Sequence, residues 1–145
     1  MRRSSTRPVM VAVTLAITAL LAVATGVSAA PAVFASGEFS TPGTYYLDLD
    51  HGQVTTNSDT ADGWYQIDSG GHRLFTPVHA EVVKFGASKP TYRQCKNAMV
   101  GGASWDMNQN QGKWFCALTN KGRVNRFQVI SATNDQLILK FTTWS

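Results

Sequence analysis

The residues predict a mainly β protein: a small antiparallel sandwich or open barrel with one short helix and one disulfide. Three observations carry that reading. Between Tyr45 and Trp144, apolar and polar residues alternate in short runs separated by Gly, Asn, Asp or Pro, the pattern of strands that bury one face. A single segment, Tyr92 to Met99, instead spaces its apolar residues by three and four, as an amphipathic helix does. The 2 cysteines, Cys95 and Cys116, fall one in that helix and one in a strand. In an exported chain two cysteines most simply pair, and only one pairing exists.

Export is read from the first residues. Met1 to Arg7 is basic and polar, Val9 to Ala24 is apolar without a charge, and Val27-Ser28-Ala29 before Ala30 supplies small residues for a cut, the layout of a secretory signal peptide over residues 1–29. Val33-Phe34-Ala35 is a second candidate junction. The apolar run is shorter than the roughly 20 residues of a membrane span and runs into small residues and Pro31, so no membrane association is expected after cleavage. The expected location is extracellular.

Removing the leader changes the electrostatics. Arg2, Arg3 and Arg7 leave with it, so of 13 Lys and Arg ten remain, against 9 Asp and Glu. At about +1 the mature chain gives no argument for nucleic-acid binding. An asymmetry survives: Ala30 to His72 holds six acids and no Lys or Arg, while Arg73 onward holds ten bases and three acids. Mutual packing of the two halves accounts for it, and a charged or cell-wall partner is the alternative. About 115 residues suffice for one domain with one core.

Taken in order, 30–43 is Ala, Ser, Gly and Pro with isolated Phe34 and Phe39 and reads as a flexible mature N-terminus before a domain over 44–145. Tyr45 to Asp50 alternates, with Tyr45, Leu47 and Leu49 inward and Tyr46, Asp48 and Asp50 outward, and His51-Gly52 turns it. Val54 to Asn57 can return as a short partner. Asn57 to Gly63 is a loop, Trp64 to Ile67 and His72 to Thr76 are strands, and Ala80 to Phe85 is another. At Thr91 and Gln94 the spacing fits a capping box, so a helix starts there, and Gly101-Gly102 stops it. Ser104 to Gly112 reads as an irregular loop. Lys113 to Thr119 alternates, with Trp114, Cys116 and Leu118 together, and Asn120-Lys121-Gly122 is its turn. Phe127 and Val129, then Leu137, Leu139 and Phe141, line the inner face of the last two strands.

Catalytic and metal chemistry find little support. The histidines His51, His72 and His79 lack a triad context, and Ser69-Gly70-Gly71-His72 is no nucleophile elbow. Two Cys and three His show no zinc spacing. Asp48 and Asp50 lie about 7 Å apart on one strand face, near the glycosidase separation, but such pairs come from different strands, and solvated carboxylates are expected. Asp48-Leu49-Asp50-His51-Gly52 opens like a calcium loop yet lacks its third acid and closing Glu. No catalytic residue, metal or cofactor is therefore assigned. Trp64 and Trp114 read as core. The candidate contact residues are Trp105 with Asn108 and Asn110, which suit stacking on a sugar ring and hydrogen bonding to its hydroxyls, and Trp144, which is either packed under another segment or open to a ligand.

The pattern Tyr92-x-x-Cys95, then Trp114-x-Cys116-x-x-Thr119-x-x-Gly122-Arg123 and a closing Thr142-Thr143-Trp144, with Tyr46-Leu47-Asp48-Leu49-Asp50 upstream, resembles a small exported β domain recurrent in actinobacteria. It occurs there in short secreted proteins and in outer segments of membrane proteins. The resemblance spans about Thr44 to Trp144; it implies export, the disulfide and a β fold, and brings no catalytic residue. The expected function is a secreted non-enzymatic recognition or interaction module at the cell envelope, with an extracellular protein or cell-wall glycan as partner. A small hydrolase acting on cell-wall material is the alternative, and so is a protease or glycosidase inhibitor presenting Ala103 to Gly112.

Overall fold

The computed structural model describes residues 29–98 and 101–145. Nearly all of the predicted leader, and Met99 of the predicted helix stripe, lie outside the described residues. The alternating runs form two five-stranded antiparallel sheets. The first holds, in order across the sheet, β1 (Val33–Pro42), β10 (Gln136–Trp144), β9 (Val124–Ala132), β8 (Trp114–Leu118) and β6 (Glu81–Gly86). The second holds β3 (Gln53–Thr55), β2 (Tyr45–Asp48), β4 (Gly63–Ile67), β5 (Arg73–Pro77) and β7 (Trp105–Asp106). The sheets stay separate rather than closing into a barrel, so the fold is a sandwich.

Their inner faces make one apolar cluster. Leu47, Tyr65 and Phe75 from the second sheet meet Phe115, Phe127, Val129, Leu137 and Leu139 from the first, all of them buried. Phe115 and Phe127 stack with centroids 5.1 Å apart, and Phe75 closes on Phe127 at 5.5 Å from across the sandwich. The β9–β10 alternation is as expected, with Phe127, Val129, Leu137, Leu139 and Phe141 inward and Lys140 outward. The β8–β9 turn closes through the Gly122 N–H, which donates to the Thr119 carbonyl at 2.9 Å, with Gly122 at φ +74°.

Trp114, Cys116 and Leu118 share a face as expected, with Trp114 and Cys116 buried; because Phe115 and Ala117 fill the central cluster between the sheets, that face is the outer one. There α1 (Tyr92–Ala98) packs, and Cys95, Cys116, Val124 and Trp144 form a second, smaller cluster. The helix begins with the predicted capping box: the Thr91 N–H donates to Gln94 Oε1 at 2.8 Å and the Gln94 N–H to Thr91 Oγ1 at 3.3 Å. Seven residues make a helix too short to hold itself in water. The Cys95–Cys116 disulfide fixes it to β8.

One expectation, the flexible segment 30–43, is corrected. Val33–Pro42 is the ten-residue edge strand β1, paired with β10 from Val33↔Trp144 to Pro42↔Gln136. An edge strand buries few side chains, which is why small and polar residues suffice. Its one strong apolar anchor is Phe39, edge-on to Phe141 at 5.5 Å. The ordered domain thus begins near Val33 rather than Thr44.

At the β2–β3 turn Gly52 has φ +64°, and a Cβ there would lie inside the Phe141 ring. Gly52→Ala combines left-handed strain with overpacking, and is expected to cost about 2 kcal/mol or more of unfolding free energy in urea titration. Reduction of the disulfide, which closes a separation of 21 residues, is expected to lower the same quantity by about 3 kcal/mol. Mass spectrometry of the native protein should find no free thiol.

Candidate functional site

Two neighbouring features occupy one end and one outer face of the second sheet. The first is an aromatic pair. Tyr46 on β2 lies directly across from Trp64 on β4, their ring centroids 5.8 Å apart and tilted by 31°. Directly opposed residues share a face, so the row continues to Thr55 on β3 and to Thr76 on β5. Leu47 and Tyr65 point into the core, which leaves Tyr46 and Trp64 half-buried on the outside. Trp64, expected in the core, is corrected to this outer face by the same alternation. Polar groups border the pair: Gln66 Nε2 donates to Thr76 Oγ1 at 3.1 Å, and Thr76 Oγ1 shares a hydrogen bond with Ser104 Oγ at 2.9 Å. One rung along, Asp48 shares the face of Tyr46; its Oδ2 lies 2.8 Å from His51 Nδ1 and accepts from Gln53 Nε2 at 3.3 Å.

The second feature is a carboxylate cluster at the end of β2. Asp48, Asp50 and Asp62 each bring an oxygen within 4.8 Å of the others. Asp50, expected on a solvated strand face, is only 1% exposed, and Asp62, expected in a loop, is fully buried. β2 ends at Asp48, so the alternation that would carry Asp50 outward stops before it. Every one of these groups is engaged by the protein. Asp62 Oδ2 accepts from the Leu49 N–H at 2.7 Å and its Oδ1 from the Asn120 N–H at 2.6 Å. Asp50 Oδ1 accepts from Thr119 Oγ1 at 2.8 Å and faces Arg123 Nη1 at 3.4 Å.

Burial, reinforced by the charges of Asp50 and Asp48 and opposed by the two amides, pushes the Asp62 carboxyl up from an ordinary 3.8 to about 6. Removal from water disfavours the charged form. The three carboxylates are the described residues that could hold a hard cation, chemistry that suits oxygen ligands. Arg123, the backbone amides and the hydroxyl of Thr119 supply the compensation that such a cluster requires. Elsewhere the exposed Asp68–His72 pair is self-contained. The His72 backbone amide and ring hold the Asp68 carboxyl below its usual range, and Asp68 raises His72.

The sequence-level candidates are not assembled at either place. Trp105 lies in β7, packs edge-to-face on Phe115 at 5.6 Å and is part of the core margin. Its loop is held down: Met107 is fully buried, its N–H donates to the Arg73 carbonyl at 2.7 Å, and the buried Asn110 donates from Nδ2 to the Asp106 carbonyl at 2.6 Å. Asn108 is exposed, with its N–H on Asp106 Oδ1. Trp144 is buried on the far side of the first sheet, between Tyr92 at 5.5 Å and the Arg126 guanidinium at 4.8 Å. Of its two alternatives, the packed one holds. Asp62 carries no local sequence signal of burial, and the opposition of Trp64 to Tyr46 depends on strand register.

Comparison with protein-family models, curated proteins and solved structures finds no match.

The Asp62 shift has a definite sign. Because the folded pKa of about 6 exceeds the ordinary 3.8, the folded state holds this proton more tightly than the unfolded chain. Its stabilisation is complete below pH 3.8 and is lost as pH rises through 6. Relative to Asp62→Asn, the native chain is expected to lose roughly 3 kcal/mol of unfolding free energy between about pH 4 and pH 7.5. Urea titrations of both proteins across that range read the difference directly.

Proposed function

We propose that the protein is an exported, non-enzymatic recognition module of the cell envelope, and that it binds glycan through the outer face of its second sheet. The Tyr46–Trp64 pair carries the proposal. Two half-exposed rings set side by side on a rigid sheet offer apolar faces to sugar C–H groups, and Tyr and Trp keep polar handles at the edge. The hydroxyls of Thr55, Thr76 and Ser104 and the amides of Gln53 and Gln66 surround them, the few polar groups that a sugar ring's hydroxyls need. A near-neutral mature chain fits an uncharged ligand better than a polyelectrolyte. Export, read from residues 1–29, and the Cys95–Cys116 disulfide fit an oxidising compartment.

The carboxylates favour this reading over a hydrolase. Asp50 and Asp62 are turned inward and bonded to Thr119, Arg123, Leu49 and Asn120, which is the wiring of a structural brace. An aromatic contact of this kind contributes about 0.5–1.5 kcal/mol. Trp64→Ala is therefore expected to reduce retention on purified cell-wall glycan by about tenfold, and Tyr46→Ala by less, with little change in melting temperature. Unchanged retention by the double variant, or no retention of the wild type on wall glycan, would refute the proposal.

A further inference from the structure

We infer that the ligand of the outer face is an uncharged, β-linked glycan that lies across the strands, about four of its rings filling the row from Thr55 to Ser104. The inference rests on the glycan reading of the Tyr46–Trp64 pair and adds the direction, linkage and length of what the pair holds. Register fixes the row: Thr55 on β3 lies across from Tyr46, Tyr46 from Trp64, and Trp64 from Thr76. Ser104 extends it, since its Oγ lies 2.9 Å from Thr76 Oγ1. Each of these residues is half-buried or exposed. The aromatic rings therefore stand in the middle of a line that ends in hydroxyls on both sides.

Along the strands the line is broken. On β2 the next residue of this face is Asp48, while Trp64 has Gln66 on one side and the buried Asp62 on the other. Across them, neighbouring strands lie about 4.8 Å apart, so Thr55 to Thr76 spans about 14 Å. An extended sugar chain advances by about one strand spacing per ring, which gives the row, with Ser104, room for about four rings.

Linkage follows from the pair. Its centroids are 5.8 Å apart and its planes tilted by 31°, so two successive sugar rings must present their C–H faces side by side with a slight turn between them. Equatorial β-links hold successive rings in a flat, gently twisted ribbon that matches a twisted sheet. Axial α-links turn each ring away from the last and coil the chain. Charge narrows the class further. Among the described residues, the strand positions of this face carry Asp48 and Asp106 and neither Lys nor Arg, so a uronic acid or a phosphate-bearing polymer meets like charge. At the far end Gln66 Nε2 donates to Thr76 Oγ1, which also shares the hydrogen bond with Ser104 Oγ. Those contacts hold the hydroxyls in a fixed orientation for the last ring of the chain.

The test is displacement of the protein from purified wall glycan by defined oligosaccharides. A β-linked tetramer, cellotetraose or chitotetraose, is expected to displace it at about one tenth of the concentration needed with its own dimer, which covers the aromatic pair alone. The same advantage is expected over maltotetraose, which differs from cellotetraose only in its α-linkage. Thr76→Val keeps the branched shape of a strand residue, and is expected to weaken the tetramer about fivefold while leaving the dimer unchanged. A purely structural role for Thr76 would move both alike. Equal displacement by maltotetraose, or by dimer and tetramer, would overturn the inference. Retention that depends on Trp64 but yields to neither β-linked tetramer would overturn it too, and there the glycan reading of the pair survives. Retention that does not depend on Trp64 or Tyr46 would overturn that reading and the inference with it.

Discussion

The peptide groups of Leu49 are the point on which the two halves of the molecule are joined. β2 ends at Asp48, so the buried Leu49 has left the sheet ladder and its backbone needs other partners. Its N–H donates to Asp62 Oδ2 at 2.7 Å, while its carbonyl accepts from Asn125 Nδ2 at 3.0 Å and Thr143 Oγ1 at 2.8 Å. Asn125 and Thr143 sit on β9 and β10 of the opposite sheet, and Asn125 Nδ2 also reaches Thr143 Oγ1 at 2.7 Å. A buried amide or carbonyl left unpaired costs about 1–3 kcal/mol. The seam is thus held by side chains that only the folded sandwich brings together.

The seam explains the charge asymmetry in physical terms. Asp50 and Asp62 belong to the acidic half, and Arg123, Thr119 and Asn120 to the β8–β9 hairpin of the basic half. Packing of the halves satisfies buried acids with one guanidinium, one hydroxyl and backbone amides. Opposed surface charge plays little part. The same arrangement fixes the frame of the aromatic face, since Asp48 sits one rung from Tyr46 and Asp62 immediately precedes Gly63 and Trp64 of β4. Recognition by the outer face would therefore use a rigid platform, whose rings are positioned by a register that the seam anchors.

The disulfide is legible in the residues because two cysteines, 21 residues apart, allow a single pairing, and strand periodicity, the turn at Gly122 and the capping box because each depends on neighbours close in sequence. The core of β9 and β10 was readable for the same reason. β1 was not, because an edge strand on a preformed partner needs only Phe39 as an anchor and tolerates Ala, Ser and Gly elsewhere. Asp50 and Asp62 were not, because a carboxylate's burial depends on donors far along the chain, at Thr119 and Asn120. Trp105 and Trp64 exchanged roles on similar grounds. An indole among amides looks like a contact residue until its loop is pinned at Met107, and one in a strand looks like core until register turns it outward.

The seam's role is tested most directly by native-state hydrogen exchange at the Leu49 and Asn120 amides. Both donate to Asp62, and in this view neither can exchange without parting the two sheets. Their opening free energies should match the global unfolding free energy and fall with it as denaturant is added. Exchange at the rate of exposed loop amides, insensitive to denaturant, would contradict the claim that this buried carboxylate holds the sandwich together.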